Sequence, residues 1–257
     1  MSTSERNIFN PEMETLDSDG MRSLHEDRFL RQVKYVYDNS ALYRDKFDQA
    51  DIHPEKIKDL DDIVKLPFTE KHELREAQKS SPPVGRHRAC SEEDLSRVYS
   101  SSGTTGVPTY IGLTHHDIHN VHAEAIARVC WMGGIRPLSK VVNIPTAPFI
   151  ADTFREGIER TGATNIPVGF NVDRCIAAYQ YQGADALHAT VSFWSYFLGE
   201  IEKKGIDPKT LGLRTIIGGA EGGAKLIRQR IEESFGATAI EGMGMGEMSC
   251  VIWGECV

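Results

Sequence analysis

The chain has 257 residues, of which 40% are hydrophobic and 26% charged, a composition typical of a globular protein with a large core. Its formal net charge of -8 argues against nucleic acid as the main partner. Five scattered cysteines predict no disulfide framework, which fits a reducing compartment. Without a signal pattern or a membrane-length apolar run, we expect a cytoplasmic protein with no membrane partner.

Helices dominate the predicted structure of the first third of the chain. Apolar spacing and stop signals predict them at residues 24–37, 42–47 and 60–68, the last ended by Pro67. The run 80–85 (Ser-Ser-Pro-Pro-Val-Gly) has the composition of a linker. We therefore expect a helical N-terminal segment, residues 1–85, packed on a core formed by residues 86–257.

Strands alternate with helices in the rest of the chain. A hairpin is predicted from strands at 98–99 and 110–113, and Thr114 with Asp117 forms a capping box that begins a helix to about Cys130. Further strands are predicted at 141–144, 164–168, 186–191, 213–217 and 237–240, with helices at 154–161, 193–203 and 224–234. This alternation predicts an α/β fold with a largely parallel sheet flanked by helices.

The loop of the predicted hairpin is rich in hydroxyl groups. Residues 99–109 read Tyr-Ser-Ser-Ser-Gly-Thr-Thr-Gly-Val-Pro-Thr. Glycines that turn backbone amides inward, together with Ser and Thr hydroxyls, form a donor surface that suits phosphate oxygens. The lysine of the GxxxxGK[ST] phosphate loop is absent. By composition alone, the run is equally typical of an ordinary surface loop.

Two further segments follow predicted strands, where ligands bind in open α/β sheets. The first is Gly218-Gly219-Ala220-Glu221, whose small residues would let a flat ring lie against the backbone. The second, residues 241–248, carries three alternating glycines and Glu247, a carboxylate of the kind that holds Mg²⁺ beside phosphates. The alternatives are a plain strand-to-helix turn, a surface acid in a loop, and methionines that fill the core.

The sequence also contains candidate ligands for zinc. His115, His119 and His122 fall at i, i+4 and i+7, although we favour a solvated surface helix over a metal site there. Cys250 and Cys256 are a candidate pair of zinc ligands without a second pair in view. No Ser-His-Asp or Cys-His arrangement follows from spacing.

Taken together, these segments resemble the adenylate-forming enzymes, and within them the phenylacetate–coenzyme A ligase family. The resemblance covers nearly the whole chain and is carried by residues 35–47, residues 66–75 (Leu-Pro-Phe-Thr-Glu-Lys-His-Glu-Leu-Arg), the loop 101–106, Thr114 with Asp117, and Gly219-Ala220-Glu221. It implies the N-terminal domain of an adenylate-forming enzyme, here incomplete, preceded by a helical segment.

The family resemblance also implies a reaction and a set of residue roles. A carboxylate attacks the α-phosphate of ATP to give an acyl adenylate, and coenzyme A then displaces AMP to form a thioester. Catalytic roles fall to Thr104 and Glu247, with Glu247 binding Mg²⁺. Nucleotide contacts are implied for Ser101, Ser102, Gly103, Thr104, Thr105, Gly106, Gly219, Ala220, Glu221, Met243 and Gly244. An aryl acid pocket is expected around Phe149, Trp194, Gly218 and Met245.

The sequence departs from the family pattern in several places. Val107 replaces the usual lysine of the loop, Met243 and Gly246 replace a tyrosine and a hydroxyl residue before Glu247, and 144–148 replaces a glycine-rich stretch. Family members continue past this point with a ribose-binding aspartate, a hinge and a lid that carries a catalytic lysine. We therefore keep as alternatives a fragment, a naturally short or non-catalytic relative that binds a ligand or partner, and an enzyme that passes the acyl group to a carrier protein or amine. A homodimer is a further expectation.

Overall fold

The computed structural model describes residues 8–101, 107–144, 151–219, 221 and 225–255. The chain divides into two compact units. The N-terminal unit comprises residues 10–115, and the sheet unit comprises the described residues of 1–9 and 116–257. The predicted division after residue 85 stays a proposal for where the helical segment gives way to the α/β core.

The N-terminal unit is helical up to a hairpin. Its elements are α1 (Pro11–Glu14), α2 (Ser18–Asn39), α3 (Ala41–Gln49), α4 (Lys71–Ser80), β1 (Leu95–Ser100) and β2 (Tyr110–Thr114). The predicted helices at 24–37 and 42–47 are confirmed, and both begin at side-chain caps, Asp17 for α2 and Ser40 for α3. The third predicted helix is a shorter 3₁₀ helix, Leu60–Lys65.

Helix α4 was not predicted, although the chain marks its start. The Glu70 side chain accepts from the backbone of Glu73, and the Glu73 side chain accepts from the backbone N–H of Glu70. Glu73 also forms an ion pair with Lys46 of α3, and this hydrogen bond lowers the pKa of the Glu73 carboxyl group. The pair ties α4 to α3, which packs on α2 through Val33 and Phe47.

The sheet unit holds a six-stranded sheet. Its elements are α5 (Ala123–Met132), β3 (Lys140–Asn143), α6 (Ala151–Arg160), β4 (Thr164–Pro167), α7 (Val172–Gln182), β5 (Ala186–His188), α8 (Val191–Lys203), β6 (Thr215–Gly219), α9 (Lys225–Phe235), β7 (Thr238–Met245) and β8 (Cys250–Gly254). The strand order is β4-β3-β5-β6-β7-β8, with parallel pairing everywhere except between β7 and β8. The predicted α/β fold class is confirmed.

Helices cover both faces of this sheet because successive strand residues point to opposite sides. Val142, Leu187 and Ile216 pack with the buried residues of α7, α8 and α9. Their neighbours Val141 and Ile217 pack with α5 and α6 on the other face. The strands are therefore rigid supports for the loops that follow their carboxyl ends. None of the described helices is long and apolar enough to span a membrane.

Three features of the sheet unit differ from the sequence-based expectations. Strand β7 continues past Ile240 to Met245, and β8 pairs back on it, where we expected a loop. Helix α7 was not predicted. A π-helical turn spans Asp117–His122 before α5, which apolar spacing does not indicate.

Candidate functional site

The carboxyl ends of β3, β5, β6 and β7 meet at one edge of the sheet. From β3 the chain crosses through α6 to β4 on one side, and from β5 it crosses through α8 to β6 on the other. This change of direction creates a topological switch point, where open α/β sheets bind ligands. We call this side of the sheet the switch edge.

A buried pair of polar side chains lies at the switch point itself. His188 ends β5, and its Nδ1 lies 2.8 Å from Oδ1 of Asn143, which ends β3. Because an amide oxygen only accepts, Nδ1 carries the proton and donates. Asn143 in turn donates through Nδ2 to Asn165 Oδ1 at 3.0 Å. None of these three residues is predicted as a site residue from the sequence, because they are distant along the chain and match no local motif.

The environment of His188 keeps its imidazole neutral. The ring is stacked on Phe154 of α6, with centroids 3.7 Å apart, and only 6% of the residue is exposed. Burial, which disfavours the charged form of the imidazole, lowers the pKa of His188 to about 3. A neutral His188 is therefore a fixed hydrogen-bonding element that orients Asn143 at the switch edge.

Trp194 and Gly218, both predicted for the acid pocket, lie in contact. Trp194 is on the first turn of α8, which Thr190 caps by accepting from Phe193 N. A Cβ built on Gly218 would overlap Cζ2 of Trp194 and would lie 2.6 Å from the carbonyl oxygen of Ala189. Position 218 therefore has room only for glycine while the indole occupies this place.

Gly219 makes an equally close approach to the neighbouring strand. It pairs with Gly242 of β7, and a Cβ on Gly219 would overlap the Gly242 carbonyl oxygen. A Cβ on Gly242 would instead meet its nearest neighbours at 3.5 Å, an ordinary contact. The two glycines are thus unequal, and Gly219 is the one that the strand pairing requires.

Glu221 is tied to the start of α8. Its Oε2 accepts from the backbone N–H of Ser192 at 2.7 Å and from Ser192 Oγ at 2.6 Å. A carboxylate at a helix N-terminus satisfies free amides and suits the helix dipole. The side chain therefore links the segment after β6 to α8. The adenine contact expected of Gly219, Ala220 and Glu221 stays a prediction.

We expect Glu221→Ala to lower the free energy of unfolding of the sheet unit by about 1–2 kcal/mol, because two donors of Ser192 lose their acceptor. Urea titration followed by tryptophan fluorescence measures this, since Trp131, Trp194 and Trp253 all lie in the sheet unit. Glu233→Ala, at an exposed position of α9, is the control. Equal free energies of unfolding for the two variants would contradict a stabilising link between Glu221 and Ser192.

The turn between β7 and β8 carries Glu247. The 3₁₀ turn Gly246–Met248 presents Glu247 with an exposed side chain. Met243 and Met245 are also exposed, at 52% and 48%, so the alternative that these methionines fill the core does not hold, while their predicted contacts with nucleotide and acid stay predictions. Successive side chains of β7 point to opposite faces, and both methionines point away from the packed interior. They lie on the β7–β8 hairpin, where the glycine-rich sequence had predicted a loop. Gly244 lies between them, at a register irregularity of the hairpin.

The candidate zinc ligands do not assemble among the described residues. His122 is buried whereas His115 and His119 are exposed, because the π-helical turn changes the spacing. Burial raises the pKa of the Cys250 thiol, which disfavours the thiolate that binds zinc. Across the described ranges, no group of three His, Cys, Asp or Glu residues is placed to hold a metal ion.

In the N-terminal unit, the structure describes the base of the hydroxyl-rich loop. Ser101 and Thr109 close it, with Ser101 N donating to Thr109 O at 2.8 Å and Thr109 N donating to Ser101 Oγ at 2.9 Å. Helix α4 holds the second arm: Arg75 Nε donates to Val107 O at 2.9 Å, and Gln78 Nε2 donates to Pro108 O at 3.0 Å. Arg75 belongs to the segment 66–75 that resembles the family signature, and in the structure its side chain anchors the second arm of the loop.

Several predicted residues lie outside the described part of the chain. These are Ser102, Gly103, Thr104, Thr105, Gly106, Phe149, Ala220 and Cys256. The described switch edge does bring Gly218, Gly219, Glu221 and Trp194 together through β6 and α8.

The chain is similar to known proteins over nearly its whole length. Residues 23–256 match the model of the AMP-binding enzyme family. Phenylacetate-coenzyme A ligases from Thermus thermophilus and Pseudomonas putida are 32% and 35% identical over 94% and 95% of this chain. The chain spans 54% and 55% of their lengths, about half of each.

A solved structure has the same fold over nearly the whole chain. It is 2-hydroxyisobutyryl-CoA ligase in an open conformation, in complex with 2-HIB-AMP and CoA. The match has a TM-score of 0.87 and 25% identity, and covers 97% of this chain and 59% of that one. The resemblance drawn from the sequence is confirmed: the chain belongs to the AMP-binding enzyme family and is related to the phenylacetate-coenzyme A ligases.

Proposed function

We propose that this chain provides the nucleotide- and acid-binding part of an acid–coenzyme A ligase. The observation that carries the proposal is the switch edge, where β6 delivers Gly218, Gly219 and Glu221 beside the β7 hairpin with Glu247. The relatives support it, since their names describe ligation of an acid to coenzyme A.

The reaction we propose has two steps. The carboxylate of a small acid attacks the α-phosphorus of ATP, the bond to the bridging oxygen breaks, and pyrophosphate leaves. The thiol sulfur of coenzyme A, which loses its proton to solvent, then attacks the acyl carbonyl carbon, and AMP leaves with the electron pair of the broken bond between that carbon and the phosphate oxygen. Stabilising the charge on phosphate oxygens is the main catalytic demand, so hydrogen-bond donors matter more than a general base.

Different residues of the chain contact the phosphates, the adenine ring and the acid. Ser101 and the loop that follows it supply donors to the phosphates, with Thr104 as the catalytic hydroxyl. The backbone at Gly219 contacts the adenine ring, while the Glu221 carboxylate keeps α8 in place. Trp194 and Gly218 form one wall of the acid pocket.

Mg²⁺ fits the proposed site through a single ligand from the protein. The described chain offers no three-residue cluster, but Glu247 presents an exposed carboxylate at a hairpin turn. One carboxylate together with substrate phosphates is the usual way that Mg²⁺ is held. When bound, the ion neutralises phosphate charge, and Glu247 fixes its position.

Isothermal titration with ATP in Mg²⁺ and in EDTA tests this proposal. We expect Glu247→Gln to weaken ATP binding about tenfold in Mg²⁺, a loss of about 1.4 kcal/mol, and to leave binding in EDTA unchanged. Glu159→Gln, at an exposed position in the last turn of α6, is the matched control and should bind as the wild type does. No ATP binding by the wild type, or equal binding by all three proteins in Mg²⁺, would overturn the proposal.

The finer sequence-based predictions remain proposals beside this one. A homodimer, zinc at Cys250 with Cys256, a cytoplasmic location and coenzyme A as the acceptor are each open to direct measurement. Size-exclusion chromatography with light scattering tests the first of these, and metal analysis of the purified chain tests the second.

A further inference from the structure

A cavity lies at the edge of the sheet opposite the switch edge, where the parallel strands begin. Its volume is about 320 Å³, and it is lined by the loop 134–139 before β3 and by the residues at the start of β5 and β6. These three strands are neighbours in the sheet, so the lining belongs to one packed unit. Small-molecule sites in proteins have volumes from about 300 Å³ upwards. We call this space the amino-edge cavity.

The charged side chains of the lining do not cancel. Two arginines, Arg136 and Arg214, and one aspartate, Asp185, line the cavity, which leaves an excess of one positive charge. Asp185 is fully engaged, because Oδ2 pairs with Nη2 of Arg214 and Oδ1 accepts from the backbone N–H of Lys140 at 2.7 Å. The described chain offers Arg136 no carboxylate partner. The positive charge in excess is therefore that of Arg136.

The guanidinium group of Arg136 is held in place and keeps donors to spare. Nη1 donates to the carbonyl oxygens of Trp131 at 2.6 Å and Ile135 at 2.8 Å, and Cζ lies 4.2 Å from the centroid of the Trp131 ring. In the described part of the chain, Nε and Nη2 have no acceptor, and neither is among the polar atoms shut off from solvent. Partial burial lowers the pKa of Arg136, a desolvation cost that a bound anion would offset. A positioned guanidinium with unused donors is suited to an oxyanion.

Two hydroxyl groups of the lining add further donors. Ser139 Oγ accepts from the backbone N–H of Arg136 at 3.2 Å, so its own proton is available to a ligand. Thr215 Oγ1, at the start of β6, faces Gly134, whose missing side chain leaves that hydroxyl uncovered. The loop between them is sharply turned, since Gly134 and Leu138 have φ angles of 88° and 79°. Such a conformation is costly for leucine and is found where a loop is fixed for binding.

We propose that the amino-edge cavity binds a small phosphorylated molecule through Arg136, Ser139 and Thr215. A phosphate monoester has three terminal oxygens, which can take up the free guanidinium donors and both hydroxyl protons. A carboxylate has only two oxygens and would leave donors unused. The space beside the phosphate, along Pro137 and Ala186, admits a small organic body. This site is separate from the proposed ATP site, because the two lie at opposite ends of the same strands.

Titration of the full ¹⁵N-labelled chain with glycerol 3-phosphate tests the proposal. The reporter is the indole N–H signal of Trp131, whose ring lies under the Arg136 guanidinium, and Trp131→Phe identifies it among the three indole signals. Succinate and sodium chloride, at matched ionic strength, are titrated in parallel. We expect a saturable shift with glycerol 3-phosphate, about tenfold weaker binding of succinate, and no saturable shift with chloride.

Variants of the lining locate the bound anion. Arg136→Gln should weaken the binding of glycerol 3-phosphate about tenfold, because charge-assisted hydrogen bonds are lost. Thr215→Val keeps the charge and nearly the shape of the lining and should weaken binding about threefold, which preserves the test if Arg136→Gln does not fold. The matched control is Arg174→Gln, which removes an exposed positive charge on α7 and should bind as the wild type does.

Four results would each overturn the inference. They are a Trp131 signal that shows no saturable shift, an equal shift with chloride, tighter binding of succinate than of glycerol 3-phosphate, and equal affinity of Thr215→Val and the wild type. The titrations contain no ATP, so their outcome does not depend on the proposed function. Failure of that function would leave the amino-edge cavity as an anion site in its own right.

Discussion

Acidification from about pH 7.5 to about pH 4.5 is expected to lower the free energy of unfolding of the sheet unit by about 3 kcal/mol through His188 alone. The imidazole is buried on Phe154 with its pKa lowered from 6.5 to about 3. Between those two values the unfolded chain binds a proton that the folded chain does not. Stability contributed by the neutral ring is therefore present above the unfolded pKa and is lost as the pH falls below it.

Urea titrations across this pH range, followed by tryptophan fluorescence, measure the effect. His188→Gln keeps a side chain able to bond Asn143 but removes the titrating group, so its stability should fall less on acidification, by about the same 3 kcal/mol. His119→Gln, at an exposed position of the sheet unit, should retain the full wild-type loss. The assignment to His188 fails if all three proteins lose equal stability.

Gly219→Ala is expected to destabilise the sheet unit by about 3 kcal/mol, near the upper end of overpacking effects. The new methyl group would overlap the Gly242 carbonyl oxygen, which is backbone and cannot turn aside. Relief requires β6 and β7 to separate at the end that carries the proposed nucleotide contact. The variant should therefore also lose ATP binding.

The control for Gly219→Ala is on the opposite strand. Gly242→Ala adds the same methyl group where the nearest atoms are 3.5 Å away, so we expect a change within about 0.5 kcal/mol. Urea midpoints and calorimetric ATP binding are measured on both variants. If Gly219→Ala were as stable as Gly242→Ala, the close approach of β6 to β7 would not constrain the site.

The sequence predicts much of this architecture because its strongest signals are local. Alternating buried strands and amphipathic helices indicate the parallel sheet, and the glycines and acid after one strand indicate the turn at Glu221. These signals also place Glu247 just beyond a strand. The resemblance to a known family adds roles to the same residues without changing where they lie.

Other parts of the site depend on contacts that local patterns do not carry. Asn143 and His188 are 45 residues apart and meet only because β3 and β5 pair. The hairpin of β7 and β8 was mistaken for a loop because its glycines resemble turn residues, and its pairing partner lies further along the chain. Likewise, Glu221 and Ser192 are 29 residues apart and meet only because β6 ends beside the start of α8.

The central claim is that the chain forms part of an enzyme that activates a carboxylic acid. Acid-dependent release of pyrophosphate from ATP tests this claim most directly. The assay uses the full chain with ATP, Mg²⁺ and a panel of aryl and hydroxy acids, and follows pyrophosphate and the acyl adenylate together. We predict release that requires the acid, with equal amounts of the two products before coenzyme A is added. ATP binding without acid-dependent pyrophosphate from any acid in the panel would contradict it.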